Sequence, residues 1–265
     1  MDFRSKGPDR QEFEERQAFL RSIYRDRLTP LLPKLKRKIS EGRDLSCPFL
    51  LSLTTHAYPE AAIRLMVVGQ QTKGWENEWM YEDVDTDRFI EHLLEAYGDF
   101  QLGKDYHPSR LLETSHDLYR RLNPSGPENG FLWDDLVKVD ENWGHRPEPD
   151  VEELLAGEFD VLRKEIELAE PHVIVFFAGP DYWERFRSTF SDVRLVPVPV
   201  DGAGPHEWWR RMGGLLLASP ASKPGPRWFY TYHPGGFYQM RHQADLEQAL
   251  RKIVSLTGSH NVSST

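Results

Sequence analysis

The residues best suited by type and spacing to do chemistry lie near the C-terminal end, in Trp228-Phe229-Tyr230-Thr231-Tyr232-His233-Pro234-Gly235-Gly236-Phe237. An apolar, aromatic run of strand type delivers a His-Pro into a glycine turn, with Phe237 expected to be exposed just beyond it. A histidine at the end of a strand stands where α/β proteins bind their ligands. Two upstream runs also end in polar groups: Val67-Val68-Gly69-Gln70-Gln71 and Trp133-Asp134-Asp135-Leu136-Val137-Lys138. Together they describe a site built from three strand ends, holding an imidazole, two amides and a carboxylate. Strand alternation admits only one of Asp134 and Asp135 to such a site.

The elements that must position these groups read as α/β. Gln11 to Lys38 carries helical periodicity, broken at Thr29-Pro30 and Leu32-Pro33, and predicts an N-terminal helical pair. Strands are predicted at Ile63–Val68, Phe131–Val139, Val173–Phe177, Arg194–Val200 and Trp228–Tyr232. Helices are predicted at Asp87–Ala96, Ser109–Leu122, Val151–Ala169 and Gln243–Leu256. Strands alternating with helices argue for a parallel sheet covered on both faces. Tyr106-His107-Pro108-Ser109 imitates a His-Pro motif, but it precedes a helix for which Ser109 is the expected N-cap. Ser219 to Pro226 reads as a loop.

The 265 residues, 39% hydrophobic, suffice for one substantial core. The expected organisation is a helical extension over 1–45, a main domain over 46–258 and a polar, disordered tail over 259–265. The only cysteine, Cys47, excludes a disulfide framework, a zinc ribbon and a cysteine-held iron–sulfur cluster. No apolar run approaches a membrane span, and Met1-Asp2-Phe3-Arg4-Ser5-Lys6 is no secretory signal, so a cytoplasmic protein without a membrane partner is expected. A net charge of −9 means that any nucleic acid must meet a local positive surface. Pro33-Lys34-Leu35-Lys36-Arg37-Lys38 is the one concentrated basic run, either a solvated helix face or part of such a surface. His206-Glu207-Trp208-Trp209-Arg210-Arg211 either reaches DNA or closes the core.

Asp135-Leu136-Val137-Lys138, His145-Arg146-Pro147-Glu148-Pro149 and the stretch from Leu162 to Val175 resemble the middle of the uracil-DNA glycosylase superfamily. The resemblance is to the bacterial and archaeal branch that pairs an Asn-x-x-Lys strand end with a long helix and a Pro-x-Val-Ile-Val strand. Val68-Gly69-Gln70-Gln71 falls at that superfamily's first motif, and Thr231-Tyr232-His233-Pro234 with Arg241 at its second. The match runs in order from about Ile63 to Leu256. It implies a three-layer α/β/α sandwich on a four-stranded parallel sheet, with the site at the carboxyl ends of the strands. It also implies a monomer that flips a base out of DNA and cuts its N-glycosidic bond with no metal or cofactor.

The roles implied are these. Gln70 or Gln71 positions the attacking water, and His233 donates to O2 of the departing pyrimidine. Asp135 reads the base edge, and Lys73 takes a position often held by a bulky Tyr. Trp75, Trp79 or Tyr81 stacks on the flipped base. Pro234, Gly235 and Gly236 bring backbone close to a phosphate, Phe237 wedges into the duplex, and Arg241 and Lys138 contact DNA.

Departures from the pattern narrow the chemistry. That branch holds an iron–sulfur cluster on four cysteines, which this chain lacks. An amide at the water position takes no proton, which forfeits roughly 100- to 10,000-fold in rate. Asp135 replaces an Asn that serves uracil as donor and acceptor. An ionised carboxylate offers acceptors only, and suits the N4 amine of cytosine. A cytosine modified at C5 on foreign DNA, such as the glucosylated cytosine that anti-phage members of the superfamily remove, is therefore the favoured base, and uracil the alternative. A catalytically inactive nucleic-acid-binding relative is the second alternative. A small-substrate α/β hydrolase is disfavoured, because there is no Gly-x-Ser-x-Gly elbow, P-loop or metal-spaced histidine cluster.

Overall fold

Four apolar runs form the parallel heart of the sheet in the computed structural model, which describes residues 10–103, 109–198, 216–220, 226–239 and 242–258. They are β1 (Leu65–Gln71), β2 (Phe131–Val137), β3 (Val173–Phe177) and β6 (Arg227–Thr231). β4 (Val193–Pro197) and β5 (Leu216–Pro220) complete a six-stranded sheet of order β2-β1-β3-β6-β5-β4. β5 runs antiparallel to β6, and β4 antiparallel to β5. Ser219 and Pro220, expected in a loop, instead close β5. β1 extends three residues past the predicted end, through Gly69, so both glutamines are strand residues.

Helices flank the sheet: α1 (Arg10–Ser40), α2 (Thr86–Asp99), α3 (Arg110–Leu122), α4 (Pro149–Glu158), α5 (Leu162–Ala169), α6 (Trp183–Thr189), α7 (Pro234–Gln239) and α8 (Gln243–Gly258). Ser109 caps α3 as its position suggests, accepting from the Leu112 amide at 3.2 Å. α1 is one helix rather than the predicted pair. Pro30 and Pro33 lie inside it, yet Leu28, Leu31, Leu32 and Leu35 around them are buried. Each such leucine contributes about 1.5–3 kcal/mol, which offsets the roughly 3 kcal/mol that an interior proline costs. Conversely, the single helix predicted over Val151–Ala169 is two. The chain breaks at Phe159, whose buried ring packs 6.4 Å from that of Tyr24.

α1 shares one hydrophobic cluster with the sheet, so the expected boundary near residue 45 separates no second core. The exposed edge of β2 is covered: the Tyr97 hydroxyl of α2 both accepts from the Trp133 amide and donates to its carbonyl, each at 3.1 Å. Unpaired strand edges otherwise invite aggregation.

Candidate functional site

All four parallel strands end at one edge, where β1 finishes in Gln70 and Gln71, β2 in Asp135-Leu136-Val137, β3 at Ala178-Gly179 and β6 at Tyr232-His233. Short hydrogen bonds stitch these ends together. Gln70 Nε2 donates to the Ala178 carbonyl at 2.8 Å, and the Gly179 amide to the Thr231 carbonyl at 3.0 Å. Tyr230 Oη donates to the Gly179 carbonyl at 2.5 Å.

The register decides between the two aspartates. Gly69 pairs with Asp135 across β1 and β2, so both face α3, where Leu111 packs close to Gly69. A methyl on Gly69 would run into Asp135 Oδ1, so the glycine makes room for the carboxyl. Asp135 is 1% exposed, and among the described residues neither of its oxygens has a hydrogen-bond partner of normal geometry, the Trp133 indole being the donor that lies close. Burial, and then the neighbouring Asp134, push its carboxyl well above the usual range, while Lys138 and the Trp133 indole offset this only in part. Burial without a paired cation disfavours the ionised form. The acceptor-only expectation belongs to the ionised form; a protonated Asp135 would present one O–H and one C=O, much as an amide presents a donor and an acceptor.

Asp134 faces the opposite side and belongs to a buried ion cluster. Its Oδ1 pairs with Lys138, whose Nζ lies 2.6 Å from Glu165 Oε2, and Tyr24 Oη donates to Glu165 Oε1 at 2.5 Å. Lys138 is 3% exposed, so the expected DNA contact is instead a tie between β2, α5 and α1. Burial alone would lower the Lys138 ammonium, but the two carboxylates hold it above its usual value.

Gln70 and Gln71 differ in availability. Gln71 is engaged at both ends, accepting from Tyr182 Oη and donating to the Gly144 carbonyl at 2.7 Å. Gln70 keeps its Oε1 without a partner among the described residues. His233 Nδ1 accepts from the Gly235 amide at 3.1 Å, which leaves the neutral ring's proton on Nε2. Burial lowers this imidazole to about 4, so it is neutral near pH 7. A Cβ on Gly235 would press on His233 Nδ1, and one on Gly236 would strike the Tyr232 ring, so both glycines are dictated by these side chains.

Several expected contacts lie elsewhere. Phe237 is fully buried, its ring 6.0 Å from Tyr232, and the next residue on α7, Tyr238, carries the exposed ring, beneath Arg110 at 4.2 Å. Pro234 is buried at the start of α7. Trp75 packs in an aromatic box, 4.9 Å from Phe49 and 5.7 Å from Phe100, rather than standing open for a base. Trp79 stacks on His92 at 3.5 Å. Lys73 is exposed beside Gly144. Arg241, the 206–211 cluster, residues 106–108, the tail and the Tyr81 side chain lie outside the described residues.

The sequence reading passed over Trp143, which is 62% exposed at the same edge. It sits in a turn where Asn142, Trp143 and Gly144 all have positive φ (50°, 60° and 112°). Buried Asp140 holds that turn: Oδ1 accepts from the Gly144 amide at 2.7 Å, and Oδ2 from Thr72 Oγ1 at 2.7 Å and the Gly74 amide at 2.8 Å. Gly74 leaves room for the indole. The available signal was an aromatic between Asn and Gly shortly after a strand.

Among the described residues, no group of three or more His, Cys, Asp or Glu side chains is placed to hold a metal ion. No described helix is long and apolar enough to cross a membrane. No protein-family model matches the chain, and no curated protein matches it.

Proposed function

We propose that this protein is a DNA N-glycosylase of uracil-DNA glycosylase type, acting as a monomer without a cofactor on a flipped pyrimidine. The observation that carries the reading is a buried carboxyl whose two oxygens have no hydrogen-bond partner among the described residues, at the same sheet edge as a neutral imidazole whose Nδ1 is taken by the Gly235 amide, leaving its proton on Nε2. Buried polar groups without partners are rare in folded proteins, and a ligand with a donor and an acceptor satisfies this one. Asp135 reads the polar edge of the base. His233 donates from Nε2 to O2 as the C1′–N1 bond lengthens, stabilising charge on the leaving base. Gln70 Oε1 orients the water that meets the sugar cation. An amide there suits a reaction led by departure of the base. Trp143 and Tyr238, not Phe237, are the exposed rings that meet the opened duplex.

The favoured base is a cytosine modified at C5, such as glucosylated 5-hydroxymethylcytosine of phage DNA, which would place the protein in antiviral defence in the cytoplasm. Uracil repair is the second reading, since the O–H and C=O of a protonated Asp135 would also match O4 and N3–H of uracil. An alkali-cleavage assay tests both on matched DNAs carrying uracil, cytosine, 5-hydroxymethylcytosine or its glucoside, with His233→Ala as control. Breaks confined to modified cytosine and lost in the variant are expected. Breaks confined to uracil select the second reading, and no breaks in any DNA overturn the glycosylase.

A further inference from the structure

We infer that Asp135 is the general acid of this site, giving its proton to N3 of a cytosine-type base as that base leaves. The inference rests on the glycosylase reading and names the substrate class and the step that sets it. The carboxyl is 1% exposed, with neither oxygen hydrogen-bonded among the described residues. Among the charged and titratable groups of the described residues around it, no cation is paired with it. From β2 come Asp134 and Lys138, with the ammonium turned to the other face and shared by Asp134 and Glu165. From the following loop comes Asp140, whose carboxylate is consumed by the 140–144 turn, and from the segment after β3 comes the Tyr182 phenol. α3 contributes apolar Leu111. Burial raises both Asp135 and Tyr182, which favours the protonated carboxyl until something basic enters.

Cytosine brings such a group. Its N4 amine donates to the Asp135 C=O while the Asp135 O–H donates to N3, so the two edges meet in a bidentate pair. Uracil forms an equally good pair through N3–H and O4, but gains nothing from acid at N3, which already carries hydrogen. The cytosine anion is the poorer leaving group of the two, so protonation helps it most. In the step, the Asp135 O–H bond breaks and an N3–H bond forms, and the C1′–N1 electron pair departs with the base. The base leaves as a neutral cytosine tautomer, and Asp135 remains as carboxylate. Water adds to C1′ and releases its spare proton to solvent, and Asp135 then regains one.

The test is single-turnover excision from DNAs carrying 5-hydroxymethylcytosine, its glucoside or uracil, across pH 5 to 10, by the wild type and Asp135→Asn. Excision of the cytosine-type base by the wild type is expected to fall about tenfold per pH unit once Asp135 ionises. Asp135→Asn keeps a donor and an acceptor but has no acid, and is expected to lose about 100- to 10,000-fold on that base. A circular dichroism spectrum and melting temperature matching the wild type would show the variant folded. Should the variant fail to fold, the wild-type pH profile decides alone. A flat profile, or a variant within tenfold of the wild type on the cytosine-type base, overturns the acid while leaving the glycosylase standing. Wild-type release of uracil alone does the same. Release of no base from any of the three overturns the glycosylase, and the acid with it.

Discussion

Replacing Lys138 with Met separates a buried tie from a DNA contact, and the structure sets the size of the effect. The ammonium is 3% exposed and pairs with Asp134 and with Glu165, both at 0% exposure. Without it, the buried cluster loses its one cation, and one further carboxyl must be neutralised in the folded state to balance that loss. An unfolded carboxylate has a pKa near 4, and each pH unit above that costs about 1.4 kcal/mol to neutralise, so one carboxyl costs about 4 kcal/mol at pH 7. The figure agrees with the roughly 3–5 kcal/mol found when one partner of a buried pair is removed. At pH 5 the same cost is only about 1.5 kcal/mol, so the destabilisation should shrink by more than half on acidification. Urea unfolding followed by tryptophan fluorescence at pH 7 and pH 5 measures both values. A loss below about 1 kcal/mol at pH 7 would refute the buried-tie account. If stability held while the salt slope of DNA binding fell by about one, the surface role expected from sequence would be restored.

Phe237→Ala should cost about 3–5 kcal/mol of stability as a core truncation. Trp143→Ala should leave stability within about 0.5 kcal/mol and weaken DNA binding by about 1–3 kcal/mol, read by fluorescence anisotropy. The reverse pattern would return the wedge to Phe237. Gly69→Ala sets a methyl against Asp135 Oδ1 and Leu111, and should cost about 1–3 kcal/mol of stability and abolish base excision; an unchanged melting temperature and rate would contradict the packing. The His233 imidazole is lowered to about 4, so below an unfolded value near 6.5 the unfolded chain binds more protons. Its stability contribution is therefore lost as pH falls from about 6.5 to about 4. A proton NMR titration of His233 with a midpoint above 6 would contradict its burial, and His233→Ala should flatten the stability profile over that window.

Local pattern was enough for much of this architecture. The apolar runs at β1, β2, β3 and β6 and the Ser109 cap are legible because they depend on neighbours a few residues away. The sheet edge carrying Gln70, Gln71, Asp135 and His233 follows from where those runs end. Pairings between distant segments were not legible. Asp135 faces α3, and Asp134 the ion cluster, only because of the register of β2 on β1. Glu165 claims Lys138 from 27 residues further along the chain. Phe237 is buried and Tyr238 exposed by the phase of α7, which one residue shifts by about 100°. The same limit hid the antiparallel strand β5 and the break between α4 and α5. Residue types thus set which groups reach the edge, while burial set which charge state each favours: an aspartate removed from water is pushed toward its neutral form, which its sequence neighbours alone do not reveal.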